Sequence, residues 1–242
     1  MAEEGKNMEN YQLGYKSLPE CVKDYLKKML SIKELKPGDE INLTAISKTL
    51  GISRTPIREA LIQLVKEGLV ELESRRKFII KKLTLDDIRN LYSIVGLLEA
   101  DASKPACERM TEKDIAKLED LYRGMAEALS IGDTSTYLDL NALSHDLIIG
   151  YCENPVLLGL LQNLKERLNV IIYDFRRIIK SLPEWEKMLM ADHSVMIQAI
   201  KGKDKLAMGR IIQGMHWDFE RNYPFLKKYI EIFQKNNYPS VE

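Results

Sequence analysis

The stretch that most constrains this chain runs from Ile41 to Leu72, where two short apolar repeats of helical period are separated by a single glycine. Leu43, Ile46 and Leu50 share one side of a first helix, Gly51 permits a sharp turn, and Ile52 plugs the corner. Ser53 is placed to cap a second helix whose Ile57, Leu61, Leu64 and Val65 face inward. Pro56 is acceptable in its first turn, because the amide that proline lacks has no partner there. The spacing is that of a helix-turn-helix. Arg54 and Arg58, four residues apart, share the outward face of the second helix at the end that reaches base edges in a major groove. Arginine holds guanine bidentately, and Ser53 and Thr55 suit phosphate oxygens at a helix N-terminus. Next, Val70 and Leu72 pair in pattern with Phe78-Ile79-Ile80 around a charged tip, which predicts a two-stranded ribbon. Its Arg75, Arg76 and Lys77 would lie along the neighbouring phosphate backbone as a wing.

Charge follows the same division. Residues 16–82 carry 15 Lys+Arg against 9 Asp+Glu, a net of +6, whereas residues 83–242 carry 20 against 24, a net of −4. A basic front suits a polyanionic partner. We therefore expect a flexible lead-in over 1–15, a winged helix-turn-helix over 16–82, and an all-helical bundle of about six helices over 83–242, a mainly α protein. No apolar run is long enough for a membrane helix, and the polar Met1–Asn10 lacks a secretory signal. Cys21, Cys107 and Cys152 form no CxxC pair and read as free thiols in a reducing cytoplasm.

Breaks in the second region mark its helices. The first opens at Leu85, with Pro105 kinking or splitting it before Arg109. Thr111 with Asp114 caps the second, Thr134 opens the third, Asn154-Pro155 the fourth, Ser181 and Pro183 the fifth. Asp204 caps a sixth that Pro224 interrupts. The chain's three histidines fall on different helices: His145 on the third, His193 on the fifth, His216 on the sixth. His193 and His216 stand roughly 14 and 18 Å from their shared turn at ~1.5 Å per residue, so antiparallel neighbours bring them to one depth. Asn141 lies one turn before His145 on the same face. Imidazoles converging inside a bundle can hold zinc, nickel, cobalt or manganese, or can be ordinary core residues.

The run Leu50-Gly51-Ile52-Ser53-Arg54-Thr55-Pro56-Ile57-Arg58-Glu59-Ala60-Leu61, with Leu64 and Glu67-Gly68-Leu69-Val70, resembles the winged helix of GntR-type regulators. The resemblance implies DNA contacts for Arg54 and Arg58. Lys77 stands where that wing commonly has glycine. Leu143-Ser144-His145, Asn154-Pro155, Asp192-His193, Gly202, Asp204 and His216 resemble the FCD effector domain of the FadR-like branch. That implies a divalent transition metal on His145, His193 and His216, with a fourth ligand, usually aspartate, at the position of Asn141. An amide oxygen can coordinate there without charge. The branch implies a small effector, often a carboxylate, although Val95 stands where many members carry arginine. Tyr92, Glu99, Arg167, Tyr173 and Arg176 are candidate effector contacts, each also readable as an interhelix contact.

The function so implied is a homodimeric, ligand-responsive regulator, most often a repressor, reading a palindromic operator in double-stranded DNA. A metal that is only structural is one alternative. A metal-dependent enzyme is another, but GxSxG, HExxH, P-loop and dinucleotide fingerprints are all missing from the chain.

Overall fold

The computed structural model describes residues 16–32, 34–74, 77–178 and 183–237, with the backbone alone at 31, 74 and 183 and over 169–178 and 229–237. The expected lead-in over 1–15 and the side chains of Arg75, Arg76, Tyr173 and Arg176 lie outside what is described. The chain divides between Lys81 and Lys82 into two compact units.

In the first unit, α1 (Leu18–Ser31) starts at a Ser17/Glu20 capping box and packs on α3 through Val22 and Leu26. Helix α2 (Leu43–Leu50) is capped by the Asn42 side chain and stops at Gly51, whose φ of 67° is the left-handed conformation that glycine adopts without strain. Helix α3 (Arg54–Lys66) buries Ile57, Ala60, Leu61 and Leu64. The ribbon is β1 (Val70–Ser74) antiparallel to β2 (Lys77–Ile80), Val70 opposite Ile80 and Leu72 opposite Phe78. A bridge from Glu40 to Ile79 and the Ile41 amide donating to Phe78 C=O (2.9 Å) tie the preceding turn to its edge.

The second unit consists of helices and their connecting turns, with no strand among its described residues. It comprises α4 (Leu85–Ser103), α5 (Ala106–Arg109), α6 (Glu112–Ser130), α7 (Thr134–Ile149), α8 (Pro155–Ile178), α9 (Pro183–Lys201), α10 (Lys205–Ile211) and α11 (Phe219–Asn237). Thr84/Asp87 and Thr111/Asp114 boxes open α4 and α6. The chain splits at Pro105, as the sequence leads one to expect. One apolar cluster, including Leu118, Met125, Tyr137, Met196 and Met208, joins α6, α7, α9 and α10. A second, including Leu91, Val95, Leu161, Trp185 and Leu226, joins α4, α8, α9 and α11. Trp185 Nε1 donates to Asn222 Oδ1 at 2.5 Å inside the latter.

The expectation that Pro224 interrupts the sixth helix is corrected. Pro224 sits within α11, and the break comes earlier, at a π-helical turn over Ile212–His216 where the Trp217 amide donates to Ile212 C=O (2.9 Å). Pro224 removes one backbone donor near the start of its helix, which the helix tolerates, while the inserted residue of the π turn reorients the chain. No helix among the described residues is long and apolar enough to cross a membrane.

Candidate functional site

The first unit presents an exposed face at the start of α3. Ser53 is its N-cap, and its hydroxyl makes no capping hydrogen bond. Arg54, Thr55 and Arg58 are exposed and line one groove with Leu43, Glu59 and Ile62. The Arg54 guanidinium donates to Thr44 Oγ1 at 3.0 Å, so α2 orients it, and the Arg58 guanidinium stands 5.7 Å from the centre of the Phe78 ring. Ile62, one turn beyond Arg58, is an exposed apolar side chain in this groove, suited to a thymine methyl. The four-residue spacing from Arg58 could have identified it. Lys77 is in an exposed ion pair with Glu73 (2.7 Å), so a phosphate must compete for it.

In the second unit the three histidines meet. His145 comes from α7, His193 from α9 and His216 from the end of the π turn, and all three are buried. Their ring centres are 5.3 Å (145–193), 4.8 Å (145–216) and 5.0 Å (193–216) apart, nearly an equilateral triangle. One nitrogen of each lies within 4.8 Å of the others, and the His145 and His193 Nε2 atoms are 3.3 Å apart. Two nitrogens bound to one ion at about 2.0–2.1 Å and a near-tetrahedral angle stand about 3.3–3.4 Å apart, so this pair already has the spacing a metal requires. Asn141 Oδ1 is buried with no hydrogen-bond partner among the described residues, as an oxygen donor awaiting a cation would be. The donor set fits a divalent transition ion.

Behind two of the imidazoles stands a buried carboxylate. Glu99 of α4 places Oε1 2.5 Å from His145 Nδ1 and Oε2 2.9 Å from Lys165 Nζ on α8. Burial raises its pKa, but the Lys165 ammonium and His145 outweigh burial and hold the carboxyl well below its usual range. Asp192 is gripped through both oxygens by Arg221 (2.6 and 2.8 Å) and lies 3.7 Å from His216 Nδ1. Burial also raises Asp192, and the neighbouring His216 ring and the Arg221 guanidinium prevail and keep it ionised. For His216, burial lowers the pKa despite the opposing pull of Asp192, so its ring is a neutral lone-pair donor at neutral pH. Tyr122 stacks on His193 at 5.0 Å, and burial raises its phenol pKa, keeping it protonated.

Other candidate contacts fare differently. Tyr92 packs edge-on against Trp217 (5.1 Å) and Phe219 (6.1 Å) within the second apolar cluster. Glu99 reaches the histidines, but its charge is engaged by Lys165 and His145. Arg167 Nε is buried without a hydrogen-bond partner among the described residues. Lys165, Asp192 and Arg221 were not among the candidates. Asp192 was legible as the neighbour of His193, whereas Lys165 and Arg221 join the site through contacts distant in sequence.

Comparisons with known proteins agree with both units. Residues 18–80 match the family model "Bacterial regulatory proteins, gntR family" and residues 90–215 match "FCD domain". The chain is 31% identical to the uncharacterized HTH-type transcriptional regulator YdhC of Bacillus subtilis, over 75% of this chain and 80% of that protein. It is 25% identical to the HTH-type transcriptional repressor RspR of Escherichia coli, over 72% and 75%. The solved structure of E. coli McbR/YncC shares the fold, with a TM-score of 0.68 and 24% identity over 92% of this chain and all of that one. These relatives are transcriptional regulators, not enzymes. The chain thus belongs to the GntR family of DNA-binding transcriptional regulators, in the branch with an FCD effector domain.

Proposed function

We propose that the protein is a homodimeric regulator, a repressor where its operator overlaps a promoter, whose DNA affinity answers to a small ligand bound beside a metal held by His145, His193 and His216. The observation that carries this reading is the buried triangle of imidazoles, each on a different element and two of them backed by carboxylates. Asn141 supplies the oxygen donor in place of a carboxylate, which leaves the ion's charge less neutralised by its ligands. A bound ion supplies a Lewis-acidic point for an oxygen of a small acid. Val95 is aliphatic and the Lys165 ammonium is engaged by Glu99, so the ion is the point of attraction for that acid.

In the first unit, Arg54 and Arg58 take base edges and Ser53 and Thr55 take phosphates. Arg75, Arg76 and Lys77 follow the flanking backbone. Two copies read the halves of a palindrome. Glu99 ties the signal to α4, the helix that begins four residues after the first unit ends. A ligand preferring one position of α4 shifts the population toward it, and only that preference can do so.

Elemental analysis with native mass spectrometry tests the metal. One transition ion per chain, lost in His193→Ala while operator binding persists, supports the reading. Metal-free wild-type protein after purification in chelator-free buffer contradicts it. That the relative RspR is a transcriptional repressor supports this direction of regulation.

A further inference from the structure

Arg54 and Arg58 open α3 side by side, but they are held from different elements. The ring of Phe78, on β2, lies beneath Arg58. Arg54 instead donates from Nη2 to Thr44 Oγ1 of α2 at 3.0 Å, across the glycine corner. That corner fixes the two helices against each other. Ser47 Oγ donates to Ile52 C=O at 2.6 Å, the Gly51 amide donates to Ser47 C=O at 3.0 Å, and Ile46 and Ile57 are buried. At the start of α2, Asn42 Oδ1 accepts from the amides of Thr44 and Ala45, both at 3.0 Å, so the turn that carries Thr44 is capped and set. An exposed arginine tethered to such a support has given up rotamer freedom before DNA arrives.

The chemistry of the tether decides what it does. A carboxylate would neutralise the guanidinium and compete with DNA for it, as Glu73 does for Lys77. Thr44 is neutral and takes one of the five N–H groups, leaving a second on Nη2 and its neighbours for a bidentate pair on guanine. As an acceptor, the Thr44 hydroxyl still has its own proton, which finds no acceptor among the described residues. The carbonyls three and four residues back, on Ile41 and Glu40, precede the helix, so the back-bond that threonine makes deeper in a helix is not open to it. Lys48, one turn further along α2, is exposed on the same side and unpaired among the described residues. A hydroxyl proton beside an ammonium suits a phosphate oxygen, and the first helix of a helix-turn-helix crosses the DNA backbone.

We propose that Thr44 is a positioning residue for operator recognition: its hydroxyl accepts from Arg54 while donating to a backbone phosphate, which ties base reading by Arg54 to the register of α2 on the duplex. The proposal rests on the reading above that Arg54 takes a base edge. Without the hydroxyl, Arg54 keeps its charge and loses its aim, so selectivity falls more than affinity for DNA at large.

Selection of duplexes from random sequence tests it, followed by anisotropy on the selected duplex and on an unrelated one at a single salt concentration. Thr44→Val keeps the shape of the side chain and removes the hydroxyl. It should weaken the selected duplex about 3- to 10-fold, the scale of ordering one long side chain, and weaken the unrelated duplex less. Base preference should relax only at the pair that Arg54→Ala also relaxes, and Thr44→Ser should restore it. In ethylation interference, one phosphate of each half-site that matters to wild type should no longer matter to Thr44→Val. A Thr44→Val protein with the base preference and phosphate pattern of wild type overturns this role, while the Arg54 contact stands on the Arg54→Ala result. Tighter binding of the selected duplex by Thr44→Val also overturns it, since the hydroxyl would then be holding Arg54 back. An Arg54→Ala protein that selects the same duplexes as wild type overturns the base contact and this role together.

Discussion

Glu99 Oε1 lies 2.5 Å from Nδ1 of His145, a contact that favours the ring proton on that nitrogen and leaves the lone pair of Nε2 on the side of His193. A second carboxylate, Asp192, stands behind His216, and each acid is held in turn by a cation. Carboxylates in this position fix the tautomer and raise the basicity of a metal-bound histidine.

Glu99→Gln is expected to weaken metal binding by about 10–100-fold, the usual cost of losing such a support. Lys165→Met should weaken it less, since it leaves the carboxylate beside His145. Competition with a chromophoric chelator measures both. Equal affinity in wild type and Glu99→Gln would remove the orienting role.

The metal-free protein should lose stability on acidification. Burial disfavours charge on His216, so its contribution to stability is full above the unfolded value near 6.5 and is lost as pH falls through the lower folded one. Glu99 and Asp192, also held below their ordinary values, act in the same direction further down, below about pH 4. Thermal melts between pH 7 and 5 should show falling midpoints in wild type and a shallower slope in His216→Gln.

Gly96 of α4 faces the π turn. A Cβ there would lie 2.8 Å from Trp217 Cβ, an atom fixed to the backbone that cannot swing aside. Alanine would gain about 1 kcal/mol of helix propensity. Overpacking at about 1–3 kcal/mol opposes that, and we expect it to win. Gly96→Ala should therefore melt several degrees lower and shift the Trp217 emission. A variant more stable than wild type would show that the π turn yields freely.

What could be read in advance was what depends on local spacing. Gly51 and Ser53 mark the corner of α2 and α3 because the turn needs a left-handed residue and a cap within three positions. The histidines met because helix rise and antiparallel packing convert sequence offset into depth. Partners joined through tertiary contact were not legible: nothing near Lys165 or Arg221 shows that an acid on another helix awaits it. Pro224 misled because a proline is a conspicuous break signal, whereas the π turn that aims His216 has no comparable mark beyond Gly214.

The reading of α3 as the element that enters the groove has the most direct test. Fluorescence anisotropy of a duplex selected from random sequence, at fixed salt, compares wild type with Arg58→Ala and His193→Ala. Loss of one bidentate base contact costs about 1–3 kcal/mol, roughly 5–150-fold in affinity, with relaxed preference at one position of each half-site. His193→Ala should bind the bare duplex as wild type does. An Arg58→Ala protein that binds the selected duplex with undiminished affinity and selectivity would contradict the account.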